Sequence, residues 1–149
     1  MTQEWRLGEY TISTDKHLLD LSAIHSFLTR SYWAEGIPFE TVKKSIEHSL
    51  NFGVYTQEEQ VGFARVITDY ATYAYIGDVY ILEDFRGRGL SKWLMQVITD
   101  HPDLQGLRRW RLITRDAHAL YRKTGFMEPQ NPERYMEKTI PEVYKNGQV

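Results

Sequence analysis

The stretch Arg86-Gly87-Arg88-Gly89 separates an apolar run ending at Leu82 from an amphipathic run starting at Leu90. Glycines at this spacing free the backbone from side-chain sterics and let a ligand approach the amides closely. A helix starting at Leu90 would leave its first amides without internal partners and aim its positive dipole end outward. That combination binds phosphate, and Arg86 and Arg88 add formal charge at the same place. The nucleoside-triphosphate pattern GxxxxGK[ST] is absent. The dinucleotide pattern GxGxxG fails as well, because Leu90, Ser91 and Lys92 follow Gly89. No cysteine is present, so a cysteine acyl-enzyme and a thiolate zinc site are both excluded. His17, His25, His48, His101 and His118 show no HExxH or close paired spacing, and no metal site is expected.

The elements that must position this turn follow from periodicity. Tyr73 to Leu82, rich in Tyr, Ile and Val, predicts a long strand running into the turn. Beyond the turn, Leu90, Trp93, Leu94, Val97 and Ile98 repeat at helical spacing until His101-Pro102 closes the helix. Upstream, Trp5 to Ser13 reads as one strand. Asp20 is placed to cap a helix carrying Leu21, Ile24 and Leu28, which ends near Ser31. Phe39, Val42, Ile46 and Leu50 predict a second helix. Phe52 to Thr56 and Val61 to Ile67, joined by a polar turn, predict a hairpin. Downstream come a strand over Trp110 to Thr114, a helix over Ala117 to Thr124 with Gly125 as its C′ residue, and a last strand over Arg134 to Lys138.

Strands alternating with helices indicate an α/β or mixed sheet, and with 149 residues and no linker or repeat, residues 1–149 read as a single domain. A formal net charge of −2 argues against a dedicated nucleic-acid binder. Arg108-Arg109-Trp110-Arg111 is better explained as a solvated turn beside a strand. No stretch approaches the ~20 apolar residues that span a bilayer, and the N-terminal residues lack an apolar signal core. A cytoplasmic protein with no membrane partner is the expectation.

Arg86, Gly89 and Ser91 match the pyrophosphate turn of the GNAT superfamily of N-acetyltransferases, Arg/Gln-x-x-Gly-x-Gly/Ala, with Ser91 standing where Gly or Ala is usual. Ala117-His118-Ala119-Leu120-Tyr121-Arg122-Lys123-Thr124-Gly125-Phe126 resembles the family's Ala-x-x-Leu-Tyr-x-x-x-Gly-Phe segment, in the expected order. The resemblance spans roughly residues 10 to 140. It implies a GNAT-like fold: a mixed, mostly antiparallel twisted sheet of about six or seven strands flanked by about four helices. It also implies acetyl transfer from acetyl-CoA directly to an amine, without a metal, and it leaves a homodimer open.

By the same resemblance, the turn residues Arg86, Gly87, Arg88, Gly89, Leu90 and Ser91 would hold the diphosphate. Backbone amides around Val79 to Ile81 would face the thioester carbonyl where a splay or bulge frees them. Thr114, seven residues before the tyrosine where the family often has Asn, would offer a hydroxyl to the pantetheine arm. Tyr121 would donate to the leaving thiolate. Direct attack also requires a neutral amine, which at pH 7 is only about one molecule in 10³ of a primary alkylamine and costs roughly 4–5 kcal/mol. Asp78, just before the turn, and Glu35, in the loop between the first two helices, are the candidate bases. Tyr32, Trp33, Tyr70 and Tyr73 are candidate walls for a small cationic amine or amino-acid-like acceptor. The alternative is a non-catalytic CoA-binding sensor or regulatory module, which would keep the turn without the chemistry.

Overall fold

Gly8 and Glu9 divide the first apolar run into two strands. Gly8 has φ +60°, the positive value that tight hairpin turns require. The single strand expected over Trp5 to Ser13 is therefore a hairpin of β1 (Glu4–Leu7) and β2 (Tyr10–Ser13). The computed structural model describes residues 1–145. Helices α1 (Leu21–Thr29) and α2 (Phe39–Glu47) follow, then strands β3 (Leu50–Tyr55), β4 (Gln60–Thr68) and β5 (Tyr73–Ile81). Helix α3 (Leu90–Thr99), strand β6 (Arg109–Leu112) and the short helix α4 (His118–Arg122) complete the order.

Local signals account for most of these boundaries. The Asp20 carboxylate accepts from the Ala23 amide at 3.0 Å and starts α1, a cap worth ~1 kcal/mol. Leu50, which the periodicity placed on the second helix, instead opens β3 opposite Val66. The strand expected over Arg134 to Lys138 does not form. A 3₁₀ turn over Pro132–Arg134 leads into irregular chain, where Met136 is exposed and Tyr135 packs on the Arg111 guanidinium. That segment buries no face, so nothing offsets the cost of ordering it as a strand.

The six strands form one sheet in the order β1-β2-β3-β4-β5-β6, antiparallel except for the parallel β5–β6 pair. A parallel pair needs a crossover, and α3 supplies it. Leu90, Leu94, Met95, Val97 and Ile98 of α3 pack against Phe52, Ala64, Val66, Ala74 and Ile76. On the other face, Ile24, Phe27 and Leu28 of α1 and Val42 and Ile46 of α2 cover Phe63 and Tyr80. No helix among the described residues is long and apolar enough to cross a membrane.

One irregularity in β5 organises the site. Phe63 pairs with Tyr80 and Arg65 with Gly77, so three steps on β5 oppose two on β4. This is a β-bulge, and within it Asp78 takes φ +55°, a left-handed conformation uncommon for a residue with a side chain. The extra residue shifts the alternation. Ala74 and Ile76 face α3 before the bulge and Val79 and Ile81 face it after, while Tyr80 turns to the α1/α2 side. There it stacks on Phe27 with ring centroids 3.9 Å apart.

Candidate active site

The β5–β6 ladder ends at the Ile76–Leu112 pair, while β5 runs on to Ile81. The Leu82 amide donates to the Val61 carbonyl. By strand alternation the amides of Val79 and Ile81 then point away from β4, to the side that β6 has left. A cleft of about 380 Å³ opens in this gap. Asp78 and Val79 line it from β5, Thr114 and Tyr121 from the segment after β6, and Tyr32 and Trp33 from the α1–α2 loop.

That loop is held in place. Ser31 Oγ donates to the Leu28 carbonyl at 2.7 Å and accepts from the Ala34 amide at 3.1 Å. Tyr32 meets Trp33 edge to face, and the Arg115 guanidinium lies 3.8 Å from the Tyr32 ring centre. Of the four aromatic residues named from the sequence, Tyr32 and Trp33 line the cleft. Tyr70 and Tyr73 lie at the β4–β5 turn and are not among its lining residues, whereas Tyr75 is. Tyr75 escaped notice in the sequence because it shares the ordinary alternation of β5.

Tyr121 is carried by α4 and packs edge-on against Phe126, with 6.3 Å between ring centroids. Burial is the main cause that pushes its phenol above the usual value of 10, with smaller contributions from Tyr32 and Asp116. The hydroxyl therefore keeps its proton across the neutral and mildly alkaline range. Thr114 Oγ1 accepts from the Ala117 amide at 3.0 Å at the start of α4, which leaves the hydroxyl proton available to a ligand.

The two acids named from the sequence differ. Asp78 lines the cleft with both carboxylate oxygens bonded: Trp33 Nε1 donates to one at 2.9 Å and Arg65 Nε to the other at 2.8 Å. Glu35 is exposed and is not among the lining residues. Arg65 and Asp116, which nothing in the sequence marks as site residues beyond their charge, do line the cleft. A charged residue inside an apolar strand, as Arg65 is in β4, was the available signal.

The glycine turn continues directly from β5. Glu83–Phe85 make a 3₁₀ turn, and Gly87 and Gly89 follow with φ +78° and +79°. A side-chain carbon built on either glycine would meet nothing within 4 Å, so the space over the turn is open to a ligand. The first bond of α3 runs from the Trp93 amide to the Gly89 carbonyl, leaving the amides of Leu90, Ser91 and Lys92 ahead of it. Arg86 Nε donates to the Ile81 carbonyl at 2.9 Å, and its far nitrogen lies 3.6 Å from Glu83. Arg88 donates to the Tyr10 hydroxyl at 2.7 Å and to the Asp84 carbonyl at 3.3 Å. Leu90 and Ile81 are buried in the core, so only their backbones are available to a ligand. These open glycines, free amides and nearby guanidinium groups fit a diphosphate. No group of three or more side chains able to hold a metal ion occurs among the described residues.

Residues 17–126 match the family model described as "Acetyltransferase (GNAT) family". A Gibberella zeae protein provisionally named an acetyltransferase is 34% identical over 144 residues, which covers 81% of this chain and 80% of the relative. A crystal structure from Xanthomonas campestris pv. campestris, of a protein assigned to the same family, superposes with a TM-score of 0.88. The two chains share 51% identity over 91% of this chain and 96% of that one. A Clostridium acetobutylicum structure solved with acetyl-CoA matches with a TM-score of 0.62 at 14% identity, covering 93% and 96% of the two chains, and this likeness speaks to the fold alone.

Proposed function

Since this chain belongs to the acetyltransferase (GNAT) family, we propose that it transfers the acetyl group of acetyl-CoA directly to the primary amine of a small, amino-acid-like acceptor. One observation carries the reading. A single cleft of about 380 Å³ gathers Tyr121, the free edge of β5 at Val79 and an aromatic loop, and β5 leads from it straight into the glycine turn.

Acetyl-CoA supplies an activated thioester. The amides of Leu90, Ser91 and Lys92, with Gly87 and Gly89 leaving the approach open, hold its diphosphate, and Arg86 and Arg88 add positive potential. Thr114 offers its hydroxyl proton to the pantetheine arm. The amine nitrogen forms a bond to the carbonyl carbon while negative charge grows on the carbonyl oxygen. The edge amide of Val79, which lines the cleft, stabilises that charge, a contribution of ~3–4 kcal/mol for a preorganised donor. As the carbon–sulfur bond breaks, the Tyr121 hydroxyl donates to the leaving sulfur, and the nitrogen gives up its proton to water at the cleft mouth. The sulfur's conjugate acid lies ~1.5 units below an ordinary phenol and burial widens that gap, so Tyr121 acts mainly by hydrogen bonding. Tyr32, Trp33 and Tyr75 wall the acceptor side, where ring faces suit a cationic amine.

Thiol release from acetyl-CoA against a panel of small amines and amino acids tests the proposal. Turnover with one acceptor class is expected. Thermal stabilisation by acetyl-CoA without release in the presence of any amine would overturn it in favour of a binding module.

A further inference from the structure

Asp78 is the one residue of the bulge with a left-handed backbone and a side chain, and two other parts of the fold converge on its carboxylate. Trp33 reaches it from the α1–α2 loop at 2.9 Å, and Arg65 from β4 at 2.8 Å. Arg65 in turn donates to Ser49 Oγ at 3.1 Å, and Ser49 donates to the Ser45 carbonyl at 2.7 Å, anchoring the chain of bonds in α2. The Arg65 and Asp78 side chains are only 18% and 12% exposed, so this ion pair is not a solvated surface contact. An unfavourable backbone conformation persists where its surroundings over-determine it, and here two directional bonds fix one carboxylate.

We propose that Arg65 and Trp33 are positioning residues for acetyl transfer. Acting through the Asp78 carboxylate, they hold the bulge at the orientation that aims the Val79 amide into the cleft. Asp78 is the fulcrum of this clamp and takes no proton from the acceptor. The inference rests on the proposed use of the β5 edge as the stabilising element. It also links acceptor to oxyanion, because Trp33 both walls the acceptor side and bonds to the bulge residue.

The test compares Trp33→Phe, Arg65→Met, Asp78→Ala and Asp78→Asn with the unmodified chain, measuring kcat, the KM for acetyl-CoA and the pH profile of kcat/KM. Trp33→Phe and Arg65→Met are expected to lower kcat by about 10- to 100-fold, the scale of a misaimed group, with the acetyl-CoA KM within about twofold because the glycine turn is untouched. Should Arg65→Met fail to fold, Trp33→Phe answers the same question. Asp78→Asn keeps an oxygen for Trp33 and a residue tolerant of positive φ. It should retain several-fold more activity than Asp78→Ala and leave the shape of the pH profile unchanged.

Near-normal kcat in Trp33→Phe overturns the proposal. So does an Asp78→Asn variant as impaired as Asp78→Ala with its acid limb gone, since that identifies Asp78 as the base. The clamp also has a readout that needs no turnover: the Trp33 indole N–H resonance in nuclear magnetic resonance. Lost exchange protection of that proton in Asp78→Ala supports the clamp even if no amine is acetylated, whereas unchanged protection refutes it. Failure of the proposed activity and failure of this inference are thus separable.

Discussion

Replacing Tyr121 by Phe removes one oxygen and keeps the ring that packs at 6.3 Å against Phe126. The fold should barely notice. What is lost is a donor that burial keeps protonated and that, in the proposed reaction, faces sulfur as it becomes a thiolate. Hydrogen bonds to charged groups are worth ~1.5–3 kcal/mol. At ~1.36 kcal/mol per factor of ten, kcat should fall roughly 10- to 150-fold. The loss belongs to the transition state, so the KM for acetyl-CoA should stay within about twofold. Because the phenol is raised above 10, unmodified enzyme should show no loss of kcat between pH 8 and 9 from its ionisation. A chromogenic disulfide reagent suits the assay, since the protein has no cysteine and every thiol detected is released CoA. A kcat within twofold of the unmodified value, at an unchanged Tm, would remove Tyr121 from the chemistry.

Two further expectations concern the scaffold. His101 is buried between Trp5 and Phe52, its Nδ1 accepts from the Asp103 amide, and burial lowers its pKa below the usual 6.5. Below pH 6.5 the unfolded chain therefore binds a proton that the folded chain refuses, so this contribution is full above pH 6.5 and declines as pH falls. Thermal melts should show Tm dropping from pH 7 to pH 5.5, and His101→Asn should flatten that slope; an unaltered slope assigns the effect elsewhere. Separately, a side chain at Gly62 would come within 2.6 Å of Ile81 Cδ1 and 2.9 Å of the Tyr80 carbonyl oxygen. Gly62→Ala should cost ~1–3 kcal/mol through overpacking, read as a Tm lower by several degrees, and an unchanged Tm would contradict the packing described.

The features legible in the sequence are those encoded within a few residues. The Asp20 cap, the apolar stripe of α3 and the glycine turn depend on neighbours along the chain, and all three form where expected. The first hairpin escaped because Gly8 needs only one positive φ to reverse the chain, and the flanking residues alternate loosely on both sides. The clamp on Asp78 was invisible for a different reason. Its partners lie 13 and 45 residues away, and only the assembled sheet brings them together. The bulge did leave a trace: Ala74 and Ile76 are followed by Val79 and Ile81, an alternation that slips by one residue across Gly77-Asp78. Only after the sheet is known does that slip acquire a direction.

The same slip explains why cutting the clamp should change rate more than fold. Moving the bulge out of β5 would flip either Tyr80 away from its 3.9 Å stack on Phe27 together with Val79 and Ile81 away from the α3 core, or Ala74 and Ile76 away from that core. Exposing even one such side chain costs ~1.5–3 kcal/mol, and the helices on both faces would have to repack around it. The two core layers therefore keep the bulge at residue 78 whether or not Arg65 and Trp33 hold it. They do not set the rotation of a single peptide within it, which a left-handed residue without fixed partners can vary. That rotation decides where the Val79 amide points, and a donor at a growing oxyanion acts only when it is aimed. Packing thus specifies that a bulge exists, and the clamp specifies its aim, which is why kcat is the quantity expected to respond.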